Sequence, residues 1–210
     1  KSYEPIEAIK ILKENSYVKF EESLEVAIKL GIDSNKTDQN IRGVINLPKG
    51  TGKKIRVAVM AKGEKAKEAE DAGADIIGDD DLAKSVTDGK IEFDLLIASP
   101  DMMPTIGKIG KILGPKGLMP NPKLGTVTNN VKSAVSALKA GQIEIKNDKD
   151  GNLGASIGKK SFSDNKIKEN FNALIQTITK EKPSGIKGDF IISAFLTSTM
   201  GVSYKLKLGK

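Results

Sequence analysis

The chain has no cysteine, no histidine and no tryptophan. Without cysteine there is no disulfide framework, thiol nucleophile or thiolate metal site, and a reducing compartment fits. Without histidine there is no imidazole base and no imidazole ligand, which removes much of the usual enzyme repertoire. No apolar run approaches the ~20 residues a membrane-spanning helix needs, so no membrane partner is expected. The start, KSYEPIEAIKILKENS, reads as an amphipathic helix rather than a charged-then-apolar secretion signal. Aromatics are scarce as well, with three tyrosines and six phenylalanines in 210 residues. Nine rings cannot fill a core and also build many base-stacking platforms, so an RNA-binding version of this chain reads backbone and shape more than unstacked bases.

What is present is positive charge. The net charge is +7 and the pI near 9.3, a balance that favours a polyanionic partner without identifying one. Between Met102 and Ile143 there are six lysines and no acid. The first half of that run sets Lys108, Lys111, Lys116 and Lys123 among Gly107, Gly110, Gly114, Gly117 and Gly125. Glycine permits close backbone approach and uncompensated lysine seeks an anion, so the run is a candidate surface for a phosphate backbone.

Patterning divides the chain into three stretches. Glu4-Pro5 opens a helix, then SLEVAIKLGI alternates apolar and polar as a half-buried strand, and Ile41 to Leu47 reads as a second strand. From Ile55 the strands IRVAVMA, DIIG and FDLLIASP are continuous apolar runs alternating with helices, which indicates a parallel sheet covered on both faces. A helix around Met102 to Leu113, the lysine-glycine loop, a helix across Val127 to Ala140 and the strand QIEIKN close that series. After the turn NDKDGN come a strand, a helix from Ser163 or Asp164 to Ile178, and two strands in GDFIISAFLTSTMG and VSYKLKL. Neither end makes a comfortable core alone. The expected architecture is therefore α/β and α+β in two domains. Residues 1–55 and 149–210 form a split α+β domain, and 56–148 form an inserted three-layer α/β domain. Two connections near Lys54 and Lys149 would act as a hinge. With those boundaries the split domain carries 21 basic and 13 acidic groups and the insert 13 and 14, which favours the split domain for RNA.

GTGKK at Gly50–Lys54 has phosphate-loop composition, but Leu47 stands where the motif needs its first glycine and no Ser or Thr follows Lys53. A strand-connecting loop is the better reading. The glycines at 107, 110, 114 and 117 never form G-x-G-x-x-G, so an α/β enzyme with a nucleotide or phosphorylated substrate is the weaker alternative. Asp79, Asp80 and Asp81 precede a helix, where capping explains them more cheaply than a metal. In TSTMGVS, small hydroxyls at Thr197, Ser198 and Thr199 sit before Gly201; a strand ending in a turn and a surface for sugar and phosphate both fit.

The segments KFEESLEVAIKLGID, TDQNIRGVINLPKGTGK, VAVMAKGEKAKEAEDAGAD, LGPKGLMPNPKLGTVT and TSTMG occur in this order along the whole chain. Together they resemble the ribosomal L-one protein family of the large-subunit stalk, in its bacterial or organellar form. GPKGLMPNPK and TSTMG carry most of that specificity. The resemblance implies a split domain with a Rossmann-like insert, and a non-enzymatic cytoplasmic ribosomal protein, monomeric when free, with no cofactor or metal. It implies binding to large-subunit rRNA, a role in exit-site tRNA movement and release, and repression through the protein's own mRNA. The rRNA surface then falls on Lys19, Phe20, Arg42, Gly158, Lys159, Ser161, Ser193, Thr199, Met200 and Gly201. Lys108, Lys111, Lys116 and Lys123 become a secondary RNA contact. Lys19, Arg42 and Lys159 suit phosphates, and Ser193 and Thr199 suit sugars or phosphates. Phe20 suits an apolar or stacking contact, and Gly201 lets the backbone lie against RNA.

Overall fold

The computed structural model describes residues 1–34, 36, 38–183, 186 and 188–208, with the side chain of Lys123 excepted. The chain separates into two compact units, residues 1–52 with 141–210, and residues 53–140.

In the terminal unit, two-residue periodicity becomes a one-faced sheet. Strands β1 (Ser23–Leu30), β7 (Asn152–Lys159), β8 (Ile191–Ser198) and β9 (Tyr204–Lys205) form an antiparallel sheet in the order β7-β1-β8-β9. Leu24, Val26, Ile28 and Leu30 point inward from β1, Leu153, Ala155 and Ile157 from β7, and Ala194 and Leu196 from β8. They pack on helices α1 (Pro5–Glu14), through Ala8, Ile9 and Leu12, and α6 (Asp164–Lys180), through Ile167, Phe171, Leu174 and Ile178. Pro5 occupies the first helical position of α1, where its missing N–H costs nothing. A half-buried ion pair, Lys13–Asp164 at 2.6 Å, ties the two helices together. The opposite face of the sheet presents Ser23, Glu25, Ala27 and Lys29 on β1 beside Thr197, Phe195 and Ser193 on β8.

A second, two-stranded sheet pairs β2 (Arg42–Asn46) antiparallel with β6 (Gln142–Lys146). This corrects the reading of QIEIKN as the last strand of the α/β insert. Its alternation, with Ile145 buried and its neighbours more open, is that of a one-faced strand and not of a strand covered on both sides. Where the chain leaves and re-enters this unit, Gly50 and Gly141 press backbone to backbone, and both have positive φ (65° and 106°). A Cβ at Gly141 would overlap the Gly50 Cα, so neither a side chain nor an ordinary conformation fits there.

The inserted unit is a three-layer α/β sandwich. Strands β3 (Val57–Met60), β4 (Ile76–Gly78) and β5 (Leu95–Ala98) form a parallel sheet in the order β4-β3-β5. All four residues of β3 are buried because both faces are covered. Ala58 and Met60 face helices α3 (Asp80–Thr87) and α4 (Met103–Leu113); Val57 and Val59 face α2 (Glu64–Asp71) and α5 (Val131–Lys139). Two carboxylates secure the entry to β3: Asp94 accepts from Arg56 N–H at 3.0 Å and Asp75 from Val57 N–H at 2.9 Å. Asp79 begins α3 without a side-chain cap bond, and Asp80 pairs instead with Lys62. The observed units change the expected charge division. The terminal unit holds 20 basic and 15 acidic groups and the insert 14 and 12, so charge alone discriminates between them only weakly.

Candidate nucleic-acid interface

One end of the four-stranded sheet is organised around a buried carboxylate. The alternation of β1 continues backwards one step, so Glu22 points inward in phase with Leu24, and it is only 1% exposed. An ionised group in that position needs partners. Glu22 accepts from the Ser16 hydroxyl, from the Ser198 hydroxyl at 2.9 Å and from the Met200 N–H at 2.9 Å. Burial pushes this carboxyl up, but those three donors and the Lys160 charge more than offset it and hold the group below its ordinary value. The network joins three segments: the loop after α1, the end of β8 and the turn that follows. Gly201 completes it, because a Cβ there would run into the Ser198 hydroxyl that Glu22 binds.

Above this base the hydroxyls and cations cluster. Thr199 Oγ1 accepts from Ser23 N–H at 3.1 Å, and Lys159 Nζ donates to Ser23 Oγ at 2.9 Å. The Ser161 hydroxyl donates to Glu21. A register shift between Leu24 and Glu25 lets Gly158 stand opposite Leu24, and a Cβ on Gly158 would meet the Phe162 ring at 2.9 Å. Met200 is 55% exposed, its carbonyl accepting from the Tyr17 hydroxyl at 3.1 Å. Lys19 and Phe20 are exposed on the same loop as Tyr17. The structure thus gathers Lys19, Phe20, Gly158, Lys159, Ser161, Thr199, Met200 and Gly201 around one sheet end.

Two predicted residues stand elsewhere. Ser193 lies opposite Lys29, six residues along β1 from Ser23 and so about 20 Å away, though on the same outer face. Arg42 is on β2, with its guanidinium on Glu144 at 3.0 Å. Sequence reasoning missed Tyr17 and Glu22. Glu22 had a usable signal, being an acid in phase with the buried side of β1.

The lysine-glycine run is part helix and part loop, in line with the expected helix around Met102 to Leu113. Residues 107–113 belong to α4, which accommodates Gly107 and Gly110, and Lys108 and Lys111 are exposed upon it. Lys116 is exposed in the following loop, and the Lys123 side chain lies outside the described residues. The loop returns to the sheet through Val127, which bridges Ala98. GTGKK is no phosphate loop: it leads into strand β3 rather than a helix N-terminus, and Asn170 holds its start through Lys49 N–H and Gly50 C=O. Among the described residues no group of three acids could hold a metal ion, and no helix is long and apolar enough to cross a membrane.

Residues 12–202 match the ribosomal protein L1p/L10e family, which is most of the chain and includes the whole sheet end. The chain belongs to this family. A protein of Prochlorococcus marinus (strain NATL1A) named large ribosomal subunit protein uL1 is 51% identical over all of this chain and 89% of its own length. The proteins of that name from Pelagibacter ubique (strain HTCC1062) and Rickettsia akari (strain Hartford) are 53% and 50% identical. They cover 95% and 98% of this chain and 87% and 86% of their own. Family membership makes the chain a structural ribosomal component and not an enzyme. The mixed α/β fold in two units agrees with it.

Proposed function

We propose that the chain is a constituent of the large ribosomal subunit that binds large-subunit rRNA through the terminal unit, at the sheet end built on Glu22. The observation that carries this reading is the convergence of Lys159, Thr199 and the Met200–Gly201 turn on Ser23 and Glu22. That arrangement offers one flexible cation, a hydroxyl and a turn with no side chain at Gly201, close together at one sheet end. Those are the groups that contact phosphate and sugar without reading a base edge. Ser193 extends the contact along the outer face of the sheet, and Arg42 adds a phosphate contact from β2. Lys108, Lys111, Lys116 and Lys123 serve as a secondary RNA contact on the insert, open to exit-site tRNA. Assistance to tRNA movement and release, and repression through the protein's own mRNA, complete the reading. The mRNA would occupy the same surface as the rRNA. The site of action is the cytoplasmic ribosome.

The test is equilibrium binding to a large-subunit rRNA fragment from the stalk base, against an unrelated duplex, over a range of salt. Specific binding should exceed the duplex by orders of magnitude and fall steeply with salt as counterions are released. Thr199→Val should weaken it by about 1–2 kcal/mol, the loss of one hydroxyl contact, with Thr199→Ser restoring most of it. Equal affinity for the fragment and the duplex would refute the reading. Unchanged affinity in the valine variant would remove Thr199 from the surface.

A further inference from the structure

The sheet end carries an apolar feature that phosphate and sugar contacts leave unused. Six large apolar side chains are prominently exposed among the described residues, and four of them, Tyr17, Phe20, Met200 and Val202, come from two short segments. Hydrogen bonds join those segments, through Tyr17 to the Met200 carbonyl and through Glu22 to the Met200 N–H. Tyr17 is the most open of the four at 74% exposure, yet its hydroxyl is tethered, so the ring is held in place with its body in water. By contrast Tyr3 and Tyr204 pack edge to face, with centroids 5.6 Å apart, against the core of the same unit. Exposing a fixed aromatic ring costs hydration free energy that burial would recover, so such a ring is a ready contact surface.

We infer that Tyr17, tethered through its hydroxyl to the Met200 carbonyl, is a stacking platform for one unpaired base of the RNA bound at the sheet end. The inference rests on the proposed rRNA-binding reading and adds a base contact to it. The occupant follows from the surroundings. Exposed Lys19 lies two residues away, and Lys159 and the Thr199 hydroxyl meet at Ser23, within the same sheet end. An aromatic face bordered by cations and hydroxyls matches a nucleotide, whose base is a π-face and whose backbone is an anion. A buried protein interface would instead deplete lysine around its aromatic anchor. Every base has a π-face, so base identity would matter little.

The experiment is a double-mutant cycle with the full chain and the large-subunit rRNA fragment. Tyr17→Ala should weaken binding roughly tenfold or more, while Tyr17→Phe, which keeps the ring, should lose no more than about threefold. The salt slope should stay that of the unsubstituted chain, because stacking releases no counterions. An abasic scan of the fragment should find one unpaired position whose loss weakens the unsubstituted chain but not Tyr17→Ala. Three results would overturn the inference: equal affinity for Tyr17→Ala, equal losses for Ala and Phe, or an abasic scan in which every effect persists in Tyr17→Ala. Normal RNA affinity with lost incorporation into the large subunit would also overturn it, assigning the ring to a protein neighbour. If the unsubstituted chain fails to prefer the fragment over the duplex, the rRNA-binding reading itself falls, and that outcome is read before any variant.

Discussion

At the scale of single residues, the interface depends on a side chain that need not touch RNA. Glu22 is buried, ionised and bound to three donors from three segments, so it sets the shape of the turn that presents Thr199 and Met200. Its folded-state pKa lies below the ordinary value of 4.5. Its contribution to stability is therefore present above that ordinary value and is lost as pH falls through the lower, folded one. Thermal melts of the chain should accordingly lose stability below about pH 4.5, and Glu22→Gln should flatten that part of the profile while lowering the melting temperature at pH 7. An identical acid limb in the glutamine variant would show that Glu22 does not carry this dependence. Of the candidate site, composition marks only the small hydroxyls of TSTMG before Gly201, while Gly158, Lys159 and Ser161 rest on the family resemblance. Glu22 and Tyr17 carry little sequence signal, since an acid beside a strand and a lone tyrosine in a loop look ordinary. Only the phase of β1 and the hydroxyl tether distinguish them.

At the scale of elements, polar side chains inside the core pin loops to the sheet. Asn170 on α6 is fully buried on the stripe that packs inward, and it makes three hydrogen bonds. It accepts from Lys49 N–H at 3.0 Å and donates to the carbonyls of Gly50 and Ile157, each at 2.8 Å. Asn170→Ala would leave those three backbone groups without their partner in the interior, a loss of about 2–4 kcal/mol. Urea unfolding should read that loss as a lower midpoint; a change below about 0.5 kcal/mol would mean water replaces the amide. Period-two and continuous apolar runs identified most strands correctly, since burial on one or two faces leaves a direct imprint on composition. QIEIKN follows a helix of the insert, and its place in the βα series masks the alternation that assigns it to the terminal unit. The helix around Met102 to Leu113 is legible in the sequence despite Gly107 and Gly110, which weaken a helix interior. Ile106, Ile109 and Leu113, all buried on the core of the insert, stabilise α4 through them.

At the scale of the whole molecule, the two units differ less in charge than in surface. Moving the boundaries to Gly52–Lys53 and Ala140–Gly141 leaves 20 basic against 15 acidic groups in the terminal unit and 14 against 12 in the insert. Both units therefore contribute to the general attraction of a polyanion, and specificity must come from the built site. The α/β sandwich, with both sheet faces covered by helices, has only helix surfaces and loops to offer; the terminal sheet has an open face and a structured end. That difference, and not net charge, is the ground for assigning rRNA to the terminal unit. The central claim is thus a claim of location. Amide hydrogen exchange of the full chain, with and without the large-subunit rRNA fragment, tests it most directly. Slowed exchange in residues 16–23, 158–161 and 197–203, with residues 103–140 little changed, is the predicted result. Protection confined to 103–140, with the sheet end exchanging as in the free protein, would contradict it.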